Sequence, residues 1–152
     1  MIVTLGIVRH GRATGQGSEA PLLPEGAGYV ATLGRRLRRE GWTPVAAFSS
    51  PYLRARDTLR ILLGELASDL PPVALPELTP DHDPGDVLDT LVARRLPAGR
   101  VLVVSHNPLV ARLVQELVGE PEDFYPGTFV ELEWDDATRR GRQLRRIGPD
   151  DL

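Results

Sequence analysis

A chain of 152 residues with 41% hydrophobic and 26% charged residues has the length and composition of one compact domain that buries about two-thirds of its unfolded surface. A net charge of −3 argues against a nucleic-acid or other polyanion partner, and no apolar run approaches the ~20 residues of a membrane span. The absence of cysteine excludes disulfides and thiolate metal ligands.

The start, MIVTLGIVRHG, has no basic n-region and no small-residue cleavage pattern, so it reads as a strand rather than a signal peptide and makes the cytoplasm the expected location. Residues 3–8 form a strand that is apolar on both faces, as in a sheet covered by helices on each side. A loop rich in Gly and Pro runs to about Gly26. Tyr29, Val30, Leu33 and Leu37 then predict a helix over 27–40, stopped by Gly41. The arginines at 35, 36, 38 and 39 read as its solvated face. PVAAFSS is a second strand. In the following helix Ser50 is the expected N-cap and Pro51 the first helical residue, with Leu59, Leu62, Leu63 and Leu66 facing the core.

PVALPEL predicts a short strand, DPGDVLDTLVARRL a helix, RVLVVSH a buried strand and PLVARLVQELVG a further helix. GTFVELEWD and RQLRRIG close the chain as an antiparallel hairpin. Strands alternating with helices predict an α/β fold: a three-layer sandwich, with a mostly parallel central sheet and helices on both faces, in a single domain over 1–152.

The two clearest core strands each end in a histidine. Val3–Val8 runs into Arg9-His10, and Val101–Val104 into Ser105-His106. Ligands of open α/β sheets bind beyond the strand carboxyl ends, so both histidines stand where a site belongs. SSPYLRARDT opens a helix directly after a strand, bringing Arg54 to the same edge. A helix start with an arginine is an anion site.

These residues carry a family resemblance. LGIVRHGRA resembles the Arg-His-Gly signature of the histidine phosphatase superfamily, SSPYLRARDT its Ser-Pro-x-Leu-Arg-Ala-x-x-Thr segment, and VLVVSHNPLV the segment of its second histidine. Ala13, the PELTP segment at 76–80 and the short chain are most similar to the SixA-type phosphohistidine phosphatases. The resemblance implies a phosphoglycerate mutase-like fold and hydrolysis without metal or cofactor. It makes His10 the nucleophile that is transiently phosphorylated, with Arg9, Arg54 and His106 binding the phosphoryl oxygens. Arginine forks suit a loose phosphoryl-transfer transition state, whose charge spreads over three oxygens.

His10 must present an unprotonated nitrogen, so its other nitrogen should donate to a backbone carbonyl. Gly11 is expected to permit a sharp turn. Gly11, Arg12, Ser105 and Asn107 are placed at the pocket periphery, and His106 is expected to be protonated when phosphate is bound. Arg12 and Arg56 are candidates for substrate selection or plain exposed positions, and Phe124 and Tyr125 for pocket rim or core.

The mutase branch uses a glutamate to protonate the leaving alcohol, and no matching motif is present. Candidate acids are Glu77, Asp81 and Asp83, each equally readable as turn chemistry, with Asp83 or Asp86 also readable as a helix cap. A phosphohistidine substrate relaxes the need for an acid, because imidazole accepts a proton with a pKa of about 6.5. DHD at 81–83 raises a metal reading that lacks further free histidines. Only about fifteen residues separate His10 from the helix near Gly26, which leaves no room for a large lid. An open pocket would admit phosphohistidine on a partner protein such as a histidine phosphotransfer domain, releasing phosphate. The alternatives are a phosphomonoesterase of small phosphorylated metabolites and a non-catalytic phosphoprotein-binding module.

Overall fold

A computed structural model describes residues 1–152. Six strands form one sheet: β1 (Ile2–Arg9), β2 (Pro44–Ser49), β3 (Val73–Ala74), β4 (Arg100–Ser105), β5 (Phe129–Asp135) and β6 (Arg140–Ile147). Their order is β3-β2-β4-β1-β5-β6. The β3, β2, β4 and β1 strands pair in parallel; β5 is antiparallel to both its neighbours. The helices are α1 (Pro24–Arg39), α2 (Leu53–Glu65), α3 (Pro84–Ala93) and α4 (Leu109–Val118).

Strand periodicity explains the three layers. Leu5, Ile7, Val101 and Val103 point into one core with Leu88, Leu91, Val110 and Leu113 from α3 and α4. Val8, Leu102 and Val104, one residue out of phase, point into a second core with Leu33, Leu37, Leu59 and Leu62 from α1 and α2. No helix is long and apolar enough to cross a membrane.

Several boundaries differ from the sequence reading. The first helix begins at Pro24 rather than near 27, because Gly26 lies inside it: a Cβ at Gly26 would overlap the Arg12 carbonyl oxygen. The second begins at Leu53 and not at Pro51; Tyr52 is its N-cap, without a side-chain cap. It ends at Glu65, followed by Ala67 at positive φ. The strand expected over PVALPEL shrinks to two residues and a 3₁₀ turn at Pro76–Leu78.

The connection after β1 leads by α1 to β2 on one side, and that after β4 leads by α4 to β5 on the other. Since β1 and β4 are neighbours, with Arg9 paired to Ser105 at their ends, the chain diverges there and opens a crevice.

Candidate active site

The end of β1 is held from three sides. Arg9 N–H donates to the Thr128 carbonyl at 3.1 Å and His10 N–H to the Ser105 carbonyl at 3.0 Å, while Gly127 N–H approaches the Arg9 and His10 carbonyls at 2.9 and 3.0 Å. Gly127 has a φ of +83°, and a Cβ there would lie 2.5 Å from the Tyr29 ring, so only glycine fits. The Arg9 guanidinium donates to the Phe124 carbonyl at 2.8 Å, and Asn107 Nδ2 donates to the same oxygen at 3.1 Å. Phe124 thus has its side chain in the core and its carbonyl under the site, whereas Tyr125 is exposed.

His10 Nδ1 lies 2.7 Å from the Gly11 carbonyl, which only accepts, so Nδ1 bears the proton and Nε2 keeps its lone pair. Arg54 Nε approaches that Nε2 at 3.3 Å. Burial, opposed by the Gly11 carbonyl and reinforced by Arg54 and Arg9, brings the His10 pKa from 6.5 down to about 4. Gly11 is needed for space rather than for a left-handed turn: its φ is not positive, and a Cβ would come within 2.9 Å of Val30 and 3.1 Å of the Gly26 carbonyl. Its N–H donates to Thr58 Oγ1 at 3.0 Å, and that hydroxyl donates to the Arg54 carbonyl at 2.7 Å, tying β1 to α2.

Arg54 is buried, donates from Nη1 to the Gly17 carbonyl at 2.8 Å and lies 5.0 Å over the Tyr52 ring. The loop after Gly11 is a fixed wall. It is closed by an Ala13–Leu22 bridge and pinned to α2 by Leu53 N–H donating to the Ser18 carbonyl at 2.8 Å.

His106, at 1% exposure, packs edge-on against His10 and Tyr52 with ring centroids 5.0 and 4.9 Å away. Its Nε2 is 2.8 Å from Ser50 Oγ. Ser50 is therefore not the cap of α2; its hydroxyl, fully buried, accepts from Tyr52 N–H at 3.1 Å and faces His106. Burial, followed by His10, Arg54 and Arg9, lowers the His106 pKa to about 3, so in the free site this ring is neutral. Burial also lowers both arginines, with Arg54 adding to the effect at Arg9. Arg9 Nε and His106 Nδ1 are buried without hydrogen-bond partners.

These groups surround a cavity of about 670 Å³, only two of whose fifteen lining residues are hydrophobic. Arg9, His10, Arg54 and His106 meet in it, and Arg12, Asn107 and Asp81 also line it. Arg12 is 3.7 Å from Glu25, both exposed. Gly11 and Ser105 do not line it; Ser105 Oγ donates to the Leu78 carbonyl at 2.6 Å. Arg56 also stands outside, bonded to the Pro51 carbonyl and Glu19. Among the candidate acids, Asp81 alone reaches the cavity. Asp83 caps α3, accepting from Gly85 N–H at 2.8 Å, and Glu77 sits in the 3₁₀ turn away from the lining. His82 Nδ1 is bound to Thr79 Oγ1 at 2.6 Å, and nowhere do three His, Asp or Glu side chains converge as a metal-binding group.

Ser50, Tyr52, Thr58 and Gly127 are the supporting residues that the sequence reading missed. Ser50 and Thr58 do lie within the quoted SSPYLRARDT segment, but a serine before proline also reads as a helix cap.

A phosphate-sized anion would find two arginine forks and two histidine rings together, and residues 5–80 match the histidine phosphatase superfamily, branch 1. The chain belongs to that family. Within it, the chain is 36% identical over 115 residues to phosphohistidine phosphatase SixA of Escherichia coli, across 73% of this chain and 71% of that protein. It is 39% identical over 93 residues to a phosphohistidine phosphatase SixA homolog of Haemophilus influenzae, across 57% of this chain but only 56% of the relative's length. The solved structure of the protein histidine phosphatase SixA complexed with tungstate superposes with a TM-score of 0.89 at 31% identity, covering 99% of both chains.

Proposed function

We propose that residues 1–152 form a single histidine phosphatase domain that removes phosphoryl groups from phosphohistidine on a partner protein in the cytoplasm. The observation carrying this reading is the unprotonated His10 Nε2, held by the Gly11 carbonyl on the far nitrogen and facing a pocket in which neither Arg9 nor Arg54 has a carboxylate partner. Such a pocket favours a dianion and the charge that spreads over it during transfer. The two SixA relatives and the tungstate complex of the structural relative support the same reading.

In the proposed reaction the Nε2 lone pair attacks phosphorus, and the bond from phosphorus to the leaving nitrogen breaks. Solvent supplies a proton to the other nitrogen of the substrate ring, so the leaving nitrogen keeps the electron pair and the ring departs as neutral imidazole. The His10 ring becomes cationic with its Nδ1–H still donating to the Gly11 carbonyl. Water then attacks phosphorus, the P–Nε2 bond breaks, and phosphate leaves. Arg9, Arg54 and His106 hold the phosphoryl oxygens throughout, and the neutral leaving imidazole needs no carboxylic acid. A histidine phosphotransfer domain is one partner of the required chemistry.

One observation favours a second reading. The cavity volume lies within the ~300–1,000 Å³ typical of small-molecule pockets, and Asp81 in its lining could protonate an alkoxide. Catalytic efficiencies on a phosphohistidine protein and on a panel of phosphomonoesters, both with EDTA present, decide between them. The expected result is turnover that survives EDTA and favours the phosphoprotein. A metabolite ahead by more than about tenfold would replace the protein substrate by a small molecule.

A further inference from the structure

His106 has two ring nitrogens in different circumstances. Nε2 is 2.8 Å from Ser50 Oγ, while Nδ1 is buried and has no partner in the protein. Which nitrogen carries the proton decides what the second histidine can offer a phosphoryl oxygen. A ring with its proton on Nε2 turns a lone pair towards whatever meets Nδ1 and repels an oxyanion. A ring with its proton on Nδ1 donates to it.

The surroundings of Ser50 settle the choice. Its hydroxyl has no exposed surface and already accepts from Tyr52 N–H, which can only donate. If His106 donated from Nε2, the hydroxyl would accept twice, its own proton would have no acceptor, and the Nδ1 lone pair would be buried unpaired. If the Ser50 hydroxyl donates to Nε2, its proton is used, its oxygen still accepts from Tyr52 N–H, and the single group left over is an Nδ1–H. Leaving one buried donor that a ligand can satisfy costs less than leaving two groups that nothing satisfies. A doubly protonated ring fails on charge as well as on this hydrogen-bond count. His10, Arg54 and Arg9 oppose its charge, and no carboxylate faces it.

We propose that Ser50 is a positioning residue that fixes His106 in the free site as its Nδ1–H tautomer, so that the ring presents a hydrogen-bond donor to the transferring phosphoryl group. The proposal rests on the phosphatase reading for its role in turnover, but not for the tautomer itself. The two histidines, with ring centroids 5.0 Å apart, then form a complementary pair, one set by a backbone partner and the other by a side chain. Both carry the proton on Nδ1, but at His10 the Gly11 carbonyl occupies that proton and leaves the Nε2 lone pair, which accepts from Arg54 Nε at 3.3 Å in the free site, to act as nucleophile. At His106 the Ser50 hydroxyl occupies Nε2 and frees the proton as donor. The same tautomer serves opposite purposes because different nitrogens are blocked.

The full chain, ¹⁵N-labelled and free of anions, contains three histidines, so long-range proton–nitrogen NMR at pH 7 can read each ring, with His106→Gln assigning the resonance. The expected pattern for His106 is a protonated Nδ1 and an unprotonated Nε2. An imidazolium, or a proton on Nε2, overturns the proposal without any activity measurement. Ser50→Ala should lose that single tautomer and lower kcat/KM by about tenfold or more, while Ser50→Thr, which keeps the hydroxyl, restores both. A Ser50→Ala protein that retains the wild-type ring pattern overturns the proposal even if its activity falls. Wild-type protein that shows the expected ring pattern yet does not turn over phosphohistidine sinks the functional reading instead.

Discussion

At the carboxyl ends of β1 and β4, Arg54 is buried and Arg9 half-buried, both bonded to carbonyl oxygens beside two neutral histidines, with no carboxylate to compensate them. Two strands from β4, in the middle of β5, the opposite arrangement prevails. Glu131 is buried; its Oε1 accepts from Arg145 Nε at 2.8 Å and its Oε2 from Trp42 Nε1 at 2.6 Å. Arg145 also reaches Glu40 at 2.8 Å, which raises the arginine and lowers the acid. Both regions bury charge in the same sheet. One satisfies it internally and ties the α1–β2 connection to β5 and β6; the other leaves cations that only an external anion completes. The contrast locates function where the fold is least satisfied and stability where it is fully paired.

Breaking the unsatisfied side should abolish activity at small structural cost. His10→Ala is expected to lower turnover by at least about a thousandfold while thermal unfolding stays within a few degrees of wild type. Acid-labile, alkali-stable phosphate trapped on the wild-type protein should map to His10, and trapping at His106 or an aspartate would overturn the assignment. Arg54→Ala comes next, at about 10²–10³ in kcat, the cost of losing one preorganised donor to a developing charge. The same variant should weaken competitive inhibition by tungstate, vanadate and phosphate. Because burial opposes the Arg54 charge, its removal should not lower stability as loss of a paired ion would.

How much of this contrast the sequence discloses depends on the range of the interactions. The histidine-ended strands and SSPYLRARDT are local patterns, and they bring His10, Arg9, Arg54 and His106 into one crevice because parallel strands end at one edge. The Ser50–His106 contact joins positions 56 residues apart, and a serine followed by proline has an equally good local reading as a helix cap. Gly11 and Gly26 read as loop glycines, yet each exists to let α1 and the chain after β1 approach closely, a property of packing that no window of sequence contains. Glu131 alternates along β5 as an outward polar residue would, and only its Trp42 and Arg145 partners bury it.

Acidification tests the histidines of the unsatisfied side. His10 and His106 have folded pKa values of about 4 and about 3 against 6.5, so between these limits the unfolded chain binds protons that the fold refuses. Their contribution to stability is complete above about pH 6.5 and is lost as pH falls through that window. The slope from each approaches about 1.4 kcal/mol per pH unit. Urea unfolding at pH 7, 6 and 5 should show this loss, and His106→Gln should reduce it; an unchanged slope would contradict the buried neutral ring. In turnover, kcat/KM should hold to about pH 5 and fall with a limb near 4 rather than 6.5, a value that belongs to the coupled pair.

The satisfied side should respond in the reverse sense, with the smallest effect on chemistry. In Glu131→Gln the amide can still accept from Trp42, but Arg145 loses its charged acceptor. Because Arg145 retains Glu40 and is 30% exposed, it can turn towards water instead of remaining buried and unpaired. The expected cost is therefore about 1–3 kcal/mol, below the ~3–5 typical of a fully buried broken pair, measured by urea unfolding at pH 7. Phosphatase activity in the native population should change by less than about twofold, since none of Trp42, Glu131 or Arg145 lines the cavity. Glu131 nonetheless pairs with Gly6 on β1, four residues before His10, and the Trp42 and Phe129 rings cover that glycine at 2.9 and 2.8 Å from where a Cβ would lie. If the variant lost activity out of proportion to its stability, the network would be setting the register of β1 as well as holding the sheet. The separation of the two regions would then fail at that strand.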